Sequence, residues 1–471
     1  MITFILAMAF LIGGYFIYGK FVDKFFGADP SRVTPAVGKA DGVDFKVLPT
    51  WKIFIIQFLN IAGLGPIFGA ILGAAYGPIA YLWIALGCIF AGAVQDYFSG
   101  MLSLRNGGLN MPDIIGKYLG KGVKTFMGIV VPILLLAVGV SFVTGPADLI
   151  ASLSGVNKNI WLYVIFAYYI LATLLPIDKI IGSIYPIFGA ALLVMALGIG
   201  GAMIYNAATG AVSIPNLTFD SFQNYHSDPE NNIVVPMLFV VISCGAISGF
   251  HSTQSPLMAR CLKTEKHARP VFYGAMVAEG VVAMIWATAA MAYFGGPEGL
   301  NQANITPAVA VNEICNSWLG KTGAVLAVLG VIVCPITSGD TAFRSLRLTI
   351  ADLLKIDQKP VLKRILVSLP IFVLAYICCE VDFSTVWKYV GIGNQILAAI
   401  FMWTATAYLI KEKRSHWMCS VPATFLTYVC VSYFIVAPVI NGGLHLQPII
   451  GHIVGVVTAF AILFVVVCRK K

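Results

Sequence analysis

Charged residues are scarce in this sequence: they make up 11% of the 471 residues, whereas hydrophobic residues make up 59%. A soluble domain of this length does not need so large an apolar fraction for its core, so the composition indicates a polytopic membrane protein of the all-α class. The apolar runs are long and continuous, unlike the short alternating segments of an outer-membrane barrel. A barrel is therefore excluded.

Several motifs are also missing. There is no Walker phosphate loop, no nucleophile–base pair and no helical metal-ligand pattern, which argues against an enzyme and against transport driven by ATP. The ten cysteines show no C-x-x-C spacing, and most fall inside apolar runs, as reduced, buried small side chains do. The N-terminus has no basic region and no small-residue cleavage site, so we expect a retained first span. We expect no cofactor and no bound metal.

Apolar windows of about twenty residues predict about thirteen transmembrane helices. The third and ninth are expected to continue as polar helix, through Arg105 and through 344–354. The predicted spans lie near 2–19, 51–75, 78–104, 123–143, 160–177, 182–204, 232–254, 270–294, 321–339, 362–379, 385–409, 417–438 and 448–468.

The basic residues are distributed unequally between the connecting segments. All but three of the 30, namely Lys158, Lys321 and Lys388, follow odd-numbered spans. Because cytoplasmic loops are enriched in lysine and arginine, this pattern predicts an N-terminus outside and a C-terminus in the cytoplasm. The net charge of +9 thus reports the topology and does not indicate nucleic acid as a partner. We expect membrane lipid around the chain.

Two spans carry sequences that should interrupt a helix half-way across the membrane. The first is QFLNIAGLGPIFGA (57–70), centred on the Gly-Pro cluster at 63–66, and the second is ISCGAISGFHSTQSP (242–256). Glycine is poor in a helix interior, by about 1 kcal/mol relative to alanine. Backbone groups left unpaired at membrane depth are tolerated only where they are buried in protein or line a cavity. Each break is therefore a candidate ligand site, although glycine also serves close helix packing.

The breaks are five spans apart, which indicates a 5+5 inverted repeat of the leucine-transporter-like kind. The predicted organisation is a first transmembrane helix and cytoplasmic linker (1–50), a first five-helix repeat (51–204), an inverted second repeat (232–410) and two accessory helices (411–471). The half-helix N-termini at the breaks suit a carboxylate. The candidate substrate-binding residues are Gln57, Asn60, Gly63, Gly65, Pro66, Ser243, Gly245, Ser248, Gly249 and His251.

A set of motifs resembles one known family. They are TPAVGKADGVDF (34–45), GLGPIFGA (63–70), AGAVQDY (91–97), CGAISGFHS (244–252), ITSGDTAFRSLR (336–347) and GIGNQILAA (391–399). In this order they are similar to the carbon starvation protein A family of bacterial inner-membrane transporters. The resemblance implies the leucine-transporter-like fold and uptake of peptides or of pyruvate, with proton coupling for pyruvate. The chain departs from the family at Ile56-Gln57, where members carry paired histidines, and at Ala70, where they carry a second proline.

Ionisable side chains inside a span are costly and by default functional. In the leucine-transporter-like arrangement the ninth span faces the first broken helix, so oxygens near Asp340 suit Na⁺, or a protonated Asp340 replaces the ion with H⁺. Alternatively, Asp340 caps a helix beginning at Thr341 or pairs with Arg344. Glu279, a mid-span carboxylate, is either a proton relay or a structural hydrogen-bond partner. The candidate coupling residues are Thr337, Ser338, Asp340, Thr341 and Glu279.

Other polar residues in the spans leave two interpretations open. Asp96 and Arg105, at the inner end of the third span, either make gating contacts or are solvated. His251 either contacts substrate or is structural, and a metal there is disfavoured because no second ligand stands three or four residues on. Neutral amides either line the cavity or bond between helices: Gln57, Asn60, Asn394 and Gln395.

The leading hypothesis is a secondary active transporter that imports a peptide or a small carboxylate such as pyruvate, with H⁺ or Na⁺ as coupling ion. The expected partner is that small-molecule or peptide substrate, and the oligomeric state is left open. One alternative is a nutrient-sensing membrane receptor. It would need a sizeable cytoplasmic domain, whereas the longest cytoplasmic segment predicted is 21–50, which argues against it. The other alternative is an ion channel, which would need a ring of residues lining a pore.

Overall fold

The computed structural model describes residues 1–174, 181–358, 360–381 and 383–468, and the regular structure within them is helical throughout. The main helices are α1 (Ile2–Phe26), α2 (Thr50–Ile61), α3 (Gly65–Ala74), α4 (Ile79–Arg105), α5 (Met111–Leu119), α6 (Lys121–Ser154), α7 (Lys158–Leu174), α8 (Ile181–Ala208), α9 (Val234–Val241), α10 (Gly249–Ala259), α11 (Glu265–Tyr293), α12 (Pro307–Leu354), α13 (Val361–Cys378), α14 (Phe383–Lys411), α15 (Trp417–Val436) and α16 (Pro448–Cys468). The all-helical membrane class predicted from composition is confirmed.

The predicted number of about thirteen spans stays a prediction, because the search for spans covers only the described residues. In the part of the chain that the structure describes, nine helices are long and apolar enough to cross a membrane, and a tenth is counted if α2 and α3 form one broken span. The other three predicted spans correspond to α7, to the pair α9 and α10, and to the part of α12 that follows Gly320, where the backbone leaves helical geometry (φ 64°, ψ −179°). Part of the predicted span at 160–177 lies outside the described residues, as do five basic residues of the charge pattern: Lys179, Lys359, Arg469, Lys470 and Lys471.

The first break follows α2. Helical geometry ends at Ala62, with φ −79° and ψ 48°, and resumes at Gly65 with a wide π-type turn over Gly65–Gly69. The axes of α2 and α3 differ by 55°. Pro66 explains part of this, because proline has no N–H to continue the hydrogen-bond ladder of α2. The break predicted at 63–66 is thus present, displaced by one residue.

The second break is longer and extends over 242–248. α9 ends before Ile242 and α10 begins at Gly249. Between them, Gly245 has a φ of +88°, a left-handed conformation that side chains with a Cβ rarely adopt. All 11 residues of α10 are buried. The second broken helix therefore runs through the centre of the bundle.

The bundle has two contrasting ends. At one end, which we call the linker face, the segment 27–50 packs on the ends of α4, α10 and α12. Its contacts include the Leu48 N–H donating to Cys261 O at 3.1 Å and the Asp29 N–H donating to Glu265 Oε2 at 2.8 Å. The opposite end carries the connection between α8 and α9.

α16 lies at the periphery. Only Gly451, Gly455 and Ala459 of this helix are buried, and Ser432 of α15 donates to the Gly451 carbonyl at 3.0 Å. A row of small residues at four-residue spacing lets two membrane helices approach closely. α16 is thus attached to the bundle through α15 and does not contribute to its centre.

Candidate functional site

The two breaks are in direct contact at the centre of the bundle. A Cβ placed on Gly65 would lie 2.0 Å from Cβ and 2.5 Å from Sγ of Cys244. A Cβ on Gly245 would lie 3.8 Å from the Cα of Pro66. Gly65 therefore has no room for a side chain beside Cys244, whereas glycine at 245 is favoured by its positive φ and by Ala283, whose Cβ would lie 2.6 Å from an added Cβ.

The first break is held by α12. Ser338 Oγ donates to the carbonyl of Leu59 at 2.7 Å, and the Cys334 thiol donates to the carbonyl of Ala62. These carbonyls lost their helical partners where α2 ends, and a buried carbonyl needs another donor. The neighbouring hydroxyls of Thr337 and Thr341 bond within α12 instead. The helix bearing the candidate coupling residues therefore lies against the first broken helix.

Four side chains from other helices bond to the second break. Trp83 Nε1 donates to the carbonyl of Ile242 at 2.9 Å, and Gln95 Nε2 donates to that of Ser248 at 2.6 Å. Glu279 Oε1 accepts from the Gly245 N–H at 3.1 Å, and Asn394 Oδ1 accepts from the N–H of the second residue of α10 at 3.1 Å. The polar side chains inside α4, α11 and α14 thus replace the hydrogen bonds that the broken helix lacks.

A fully buried carboxylate–imidazole–carboxylate row crosses the same region. His251 Nδ1 lies 3.4 Å from Asp96 Oδ2, and His251 Nε2 lies 3.5 Å from Glu279 Oε2. All three side chains are 0% exposed. Cys244 completes the group, because its sulfur, a carboxylate oxygen of Glu279 and an imidazole nitrogen of His251 lie within 4.8 Å of one another. A ring of potential ligands therefore surrounds the point where the breaks meet.

Many buried polar atoms around the breaks have no hydrogen-bond partner among the described residues. Native proteins leave few such atoms, because each costs about 1–3 kcal/mol. Their concentration on α2, on the second break with α10, and on the facing helices α4 and α11 indicates a place for a polar ligand. The atoms are Gln57 Oε1, both amide atoms of Asn60, Gln95 Oε1, Ser248 Oγ, Gln254 Oε1, both oxygens of Asp96, both ring nitrogens of His251 and Glu279 Oε2.

Asp340 occupies a separate buried position. Its Oδ2 lies 3.1 Å from the hydroxyl of Tyr185, which also lies 2.9 Å from the carbonyl of Thr337. α12 continues without a break through this position, so Asp340 does not cap a helix beginning at Thr341. Arg344 pairs with Asp44 instead. Asp340 therefore neither caps a helix nor pairs with Arg344, the two structural roles considered from the sequence. Its hydrogen-bond partner is Tyr185 of α8.

A cavity of about 610 Å³ lies at the end opposite the linker face. Its walls include Phe68 and Leu72 of α3, Val241 of α9, and Trp387 and Lys388 of α14. It ends beside α3 and at the last residue of α9, directly before the second break. We call this cavity the vestibule, because it leads from one face of the bundle to the level of the breaks.

The linker face is closed by ion pairs. Asp44 Oδ1 lies 3.4 Å from Arg344 Nη1 and 4.0 Å from Arg347 Nη2. Arg105 pairs with Glu265 at 3.1 Å and donates to the carbonyl of Gly27 at 2.6 Å. Asp96 does not contact Arg105, so the predicted gating contact between the two is absent. Asp96 is not solvated either, because it is buried beside the His251 imidazole at the second break. Arg105 does contact the linker, whereas Asp96 belongs to the centre.

Loss of one hydroxyl of α12 tests its attachment to the first break. We expect Ser338→Ala to lower the free energy of unfolding by about 1–3 kcal/mol, because the buried Leu59 carbonyl would lose its donor. Thr337→Ala is the matched control, since the Thr337 hydroxyl bonds only to Cys334 O in its own helix. Thermal unfolding of both variants in detergent measures the difference. Equal shifts in the two variants would contradict the assigned contact.

Some of these residues had no signal in the sequence. Cys244 is interpreted from the sequence as a small buried residue, because its neighbours in the cluster lie seven and 35 positions away. The sequence marks Asn394 as a polar residue inside a span but does not single out Gln95, and the structure shows both bonding between helices. The partners of Asp340 and Asp44 come from distant segments and could not be inferred from spacing.

Comparison with known sequences identifies similar proteins. The sequence model described as carbon starvation protein CstA matches residues 1–144, 122–316 and 298–433. A Haemophilus influenzae protein described as "Uncharacterized membrane protein" is 44% identical over 360 residues, which cover 67% of this chain and 97% of that protein. The peptide transporter CstA of Bacillus subtilis is 25% identical over 545 residues, covering 92% and 89%. The pyruvate/proton symporter BtsT of Escherichia coli is 27% identical over 336 residues, covering 59% and 47%.

Among solved structures, the chain is similar to the Eremococcus coleocola manganese transporter crystallised with an aromatic bis-isothiourea substituted compound. The TM-score is 0.54 at 12% sequence identity, and the match covers 92% of this chain and 99% of that one. At this identity the likeness concerns the fold alone. The arrangement of helices is thus one used by a membrane transporter.

Proposed function

We propose, because this chain belongs to the carbon starvation protein CstA family, that it is a secondary active transporter that imports peptides or a small carboxylate such as pyruvate. Named relatives include a peptide transporter and a pyruvate/proton symporter. One observation carries the proposal: two interrupted helices meet at Gly65 and Cys244, among buried polar atoms that lack partners. Paired broken helices at mid-membrane are the usual construction of a transporter's binding site.

A carboxylate suits the chemistry of the first break. α3 begins there, and among the described residues the N–H groups of Leu64 and Gly65 have no backbone acceptor. Free N–H groups and the positive end of a helix dipole favour an anion. The unpaired amide atoms of Asn60 and Gln57 supply further donors and acceptors close by. The vestibule wall carries Lys388 and Asp148, and Asp148 is paired with Lys158 at 2.9 Å, so the remaining charge near the route is positive and raises the local concentration of an anion.

Two features support alternating access. The vestibule reaches the breaks from one end of the bundle, and ion pairs close the linker face at the other. The charge pattern of the loops supports an orientation with the vestibule outside and the linker face in the cytoplasm of a bacterial inner membrane. α2–α8 and α9–α14 form the two inverted halves of the 5+5 repeat, α1 precedes them, and α15 and α16 are accessory.

Coupling is proposed at Asp340. This carboxylate is buried, lies beside the Tyr185 hydroxyl and stands two residues after Ser338, which bonds to the first break. H⁺ bound to Asp340, or Na⁺ bound to its oxygens and the nearby hydroxyls, would change the contact between α12 and α2. Binding of an ion at the helix that holds the break would in this way favour one of the two access states.

Uptake by proteoliposomes tests the coupling. A panel of pyruvate, related carboxylates and short peptides is offered under a proton gradient and, separately, under a sodium gradient. We expect Asp340→Asn to abolish accumulation driven by the gradient while leaving downhill exchange measurable. Asp220→Asn, at an exposed loop residue, is the control and should retain wild-type uptake. If Asp340→Asn accumulates substrate normally, or if no gradient affects the wild type, the coupling proposal is wrong.

A further inference from the structure

The polar group at the second break has the composition of a transition-metal site. Cys244, His251 and Glu279 come from the break, from α10 and from α11, and each offers one donor atom, the three donor atoms lying within 4.8 Å of one another. The residues are buried, with Glu279 and His251 at 0% exposure and Cys244 at 7%. Thiol, imidazole and carboxylate together are the ligands that zinc-like ions bind in proteins.

The donor atoms are available. Neither ring nitrogen of His251 has a hydrogen-bond partner within the described ranges, and the same holds for Glu279 Oε2. Glu279 Oε1, in contrast, accepts from the Gly245 N–H. The backbone of the break therefore fixes one carboxylate oxygen and leaves the other directed at the imidazole, 3.5 Å from Nε2. A buried polar atom without a partner calls for an explanation such as a bound ion.

The surroundings of His251 also match a metal site. Asp96 Oδ2 lies 3.4 Å from Nδ1, on the side of the ring opposite Glu279. In metal sites a carboxylate commonly accepts from the second ring N–H of a ligating histidine, which fixes the tautomer and the ring orientation. Nδ1 makes no hydrogen bond to Asp96 in this geometry, but a proton on Nδ1 would face Asp96 and leave the lone pair of Nε2 for an ion on the side of Glu279.

We propose that Cys244 Sγ, His251 Nε2 and Glu279 Oε2 bind a divalent transition-metal ion of the zinc class, and that Asp96 is a positioning residue behind the histidine. Three protein ligands leave a fourth, tetrahedral position open. Metal–ligand bonds of about 2.0–2.3 Å place the donors of such a site roughly 3.3–3.8 Å apart, so the cluster closes slightly around the ion. The thiolate and imidazole favour zinc, cobalt or iron over magnesium, calcium or sodium.

The charge of the ion is compensated in this buried position. On binding, the Cys244 thiol releases its proton to solvent, and the thiolate and the Glu279 carboxylate together neutralise the two positive charges of the metal. The Asp96 carboxylate remains the one net charge of the group, 3.4 Å from His251 Nδ1. The inference does not depend on the substrate that is transported, because it rests on the ligand atoms alone.

Metal binding is measured on the full-length protein in detergent. After removal of bound metal, Co²⁺ is added and its absorption spectrum recorded, and Zn²⁺ is titrated in competition. We expect one Co²⁺ per chain with a sulfur-to-cobalt charge-transfer band. Cys244→Ser, His251→Gln and Glu279→Gln should each lose this site, and Asp96→Asn should weaken binding by roughly 10–100-fold. Cys430→Ser, which removes a buried thiol of α15, is the matched control and should bind as the wild type does.

X-ray absorption on the zinc-loaded wild type keeps the test independent of how the variants fold. We expect one sulfur ligand at about 2.3 Å and the remaining ligands to be nitrogen or oxygen. A shell without sulfur, or Co²⁺ binding that is equal in Cys244→Ser and Cys430→Ser, would overturn the proposal. So would a wild type that binds neither ion, in which case the cluster serves protons only. Each outcome can be told apart from a failure of carboxylate uptake, which is assayed separately.

Discussion

Protein carrying Gly63→Leu together with Gly65→Leu should insert in the membrane at the wild-type level and lose substrate binding. A Cβ at Gly63 would lie 2.6 Å from the ring of Phe142, and one at Gly65 would lie 2.0 Å from Cys244 Cβ. Overpacking of this kind costs about 1–3 kcal/mol at each site, and the backbones of the two breaks must separate to admit the side chains, so we expect the affinity to fall by at least about tenfold. Leucine is more apolar than glycine, which leaves insertion unimpaired. Equilibrium binding of radiolabelled substrate measures the loss.

The control places the same residue where there is room. Gly201→Leu introduces leucine on the exposed side of α8, where an added Cβ meets nothing within 4 Å. Binding should then equal that of the wild type. If the double variant at the first break also binds substrate normally, the two breaks are not the binding site, and the central assignment fails.

A second large effect is expected from Asp44→Ala at the linker face. This single carboxylate faces Arg344 at 3.4 Å and Arg347 at 4.0 Å, and all three side chains are buried. Removing one partner of a buried ion pair costs about 3–5 kcal/mol, because the remaining charges stay uncompensated. The closed state of the linker face would lose that free energy, and its population relative to the open state would fall by roughly 10²–10⁴-fold.

Opening of the linker face is measured by thiol labelling. Ser345→Cys places a thiol beside α10, since Ser345 Oγ bonds to the carbonyl of Thr253 and is 4% exposed. A maleimide supplied on the linker side should react much faster when Asp44→Ala is also present. Asp29→Ala, which removes an exposed pair with Arg32, is the control and should leave the rate unchanged. An unchanged rate in the Asp44→Ala protein would show that this ion pair does not close the face.

The pH dependence of this closure has a defined sign. Burial by itself raises the pKa of Asp44, but Arg347, Arg344, Arg260 and Arg364 outweigh it and lower the pKa below the usual aspartate value. A group whose pKa is lowered by folding stabilises the folded state fully above its ordinary pKa, about 3.9 for aspartate. That stabilisation disappears as the pH falls through the lower pKa of the closed state. Labelling of the wild type should thus be insensitive to this group between pH 5 and 8.

The breaks themselves were predictable, because glycine and proline act locally on the backbone. Gly65, Pro66 and Gly245 all lie where the backbone departs from regular α-helical geometry. The second break, at 242–248, lies within the stretch 242–256 that was predicted to contain it. The polar residues inside spans were also recognised from the sequence as functional candidates, since hydrocarbon does not tolerate them without a partner.

The partners of those residues were not predictable. Gln95 reaches Ser248 across 153 positions, and Arg344 reaches Asp44 across 300. Hydrophobic periodicity reports which face of a helix is buried but not which helix covers it. For the same reason the cysteine at the second break was interpreted as a packing residue, because its two companion ligands become neighbours only after α10 and α11 have packed.

The hydrogen bonds of the second break also set an order of events while the chain is being made. Trp83 and Gln95 are synthesised before the second break, and Glu279 is synthesised 34 residues after Gly245. Three of the four side chains that bond to this break are therefore present early. Asn394, which accepts from the Phe250 N–H, follows that residue by 144 positions. At a translation rate of about 5–20 residues per second, roughly 7–29 s pass before it emerges. During this interval the Phe250 N–H of the partly synthesised bundle has no Asn394 to accept its hydrogen bond. Insertion of α14 therefore completes the hydrogen bonds around the second break.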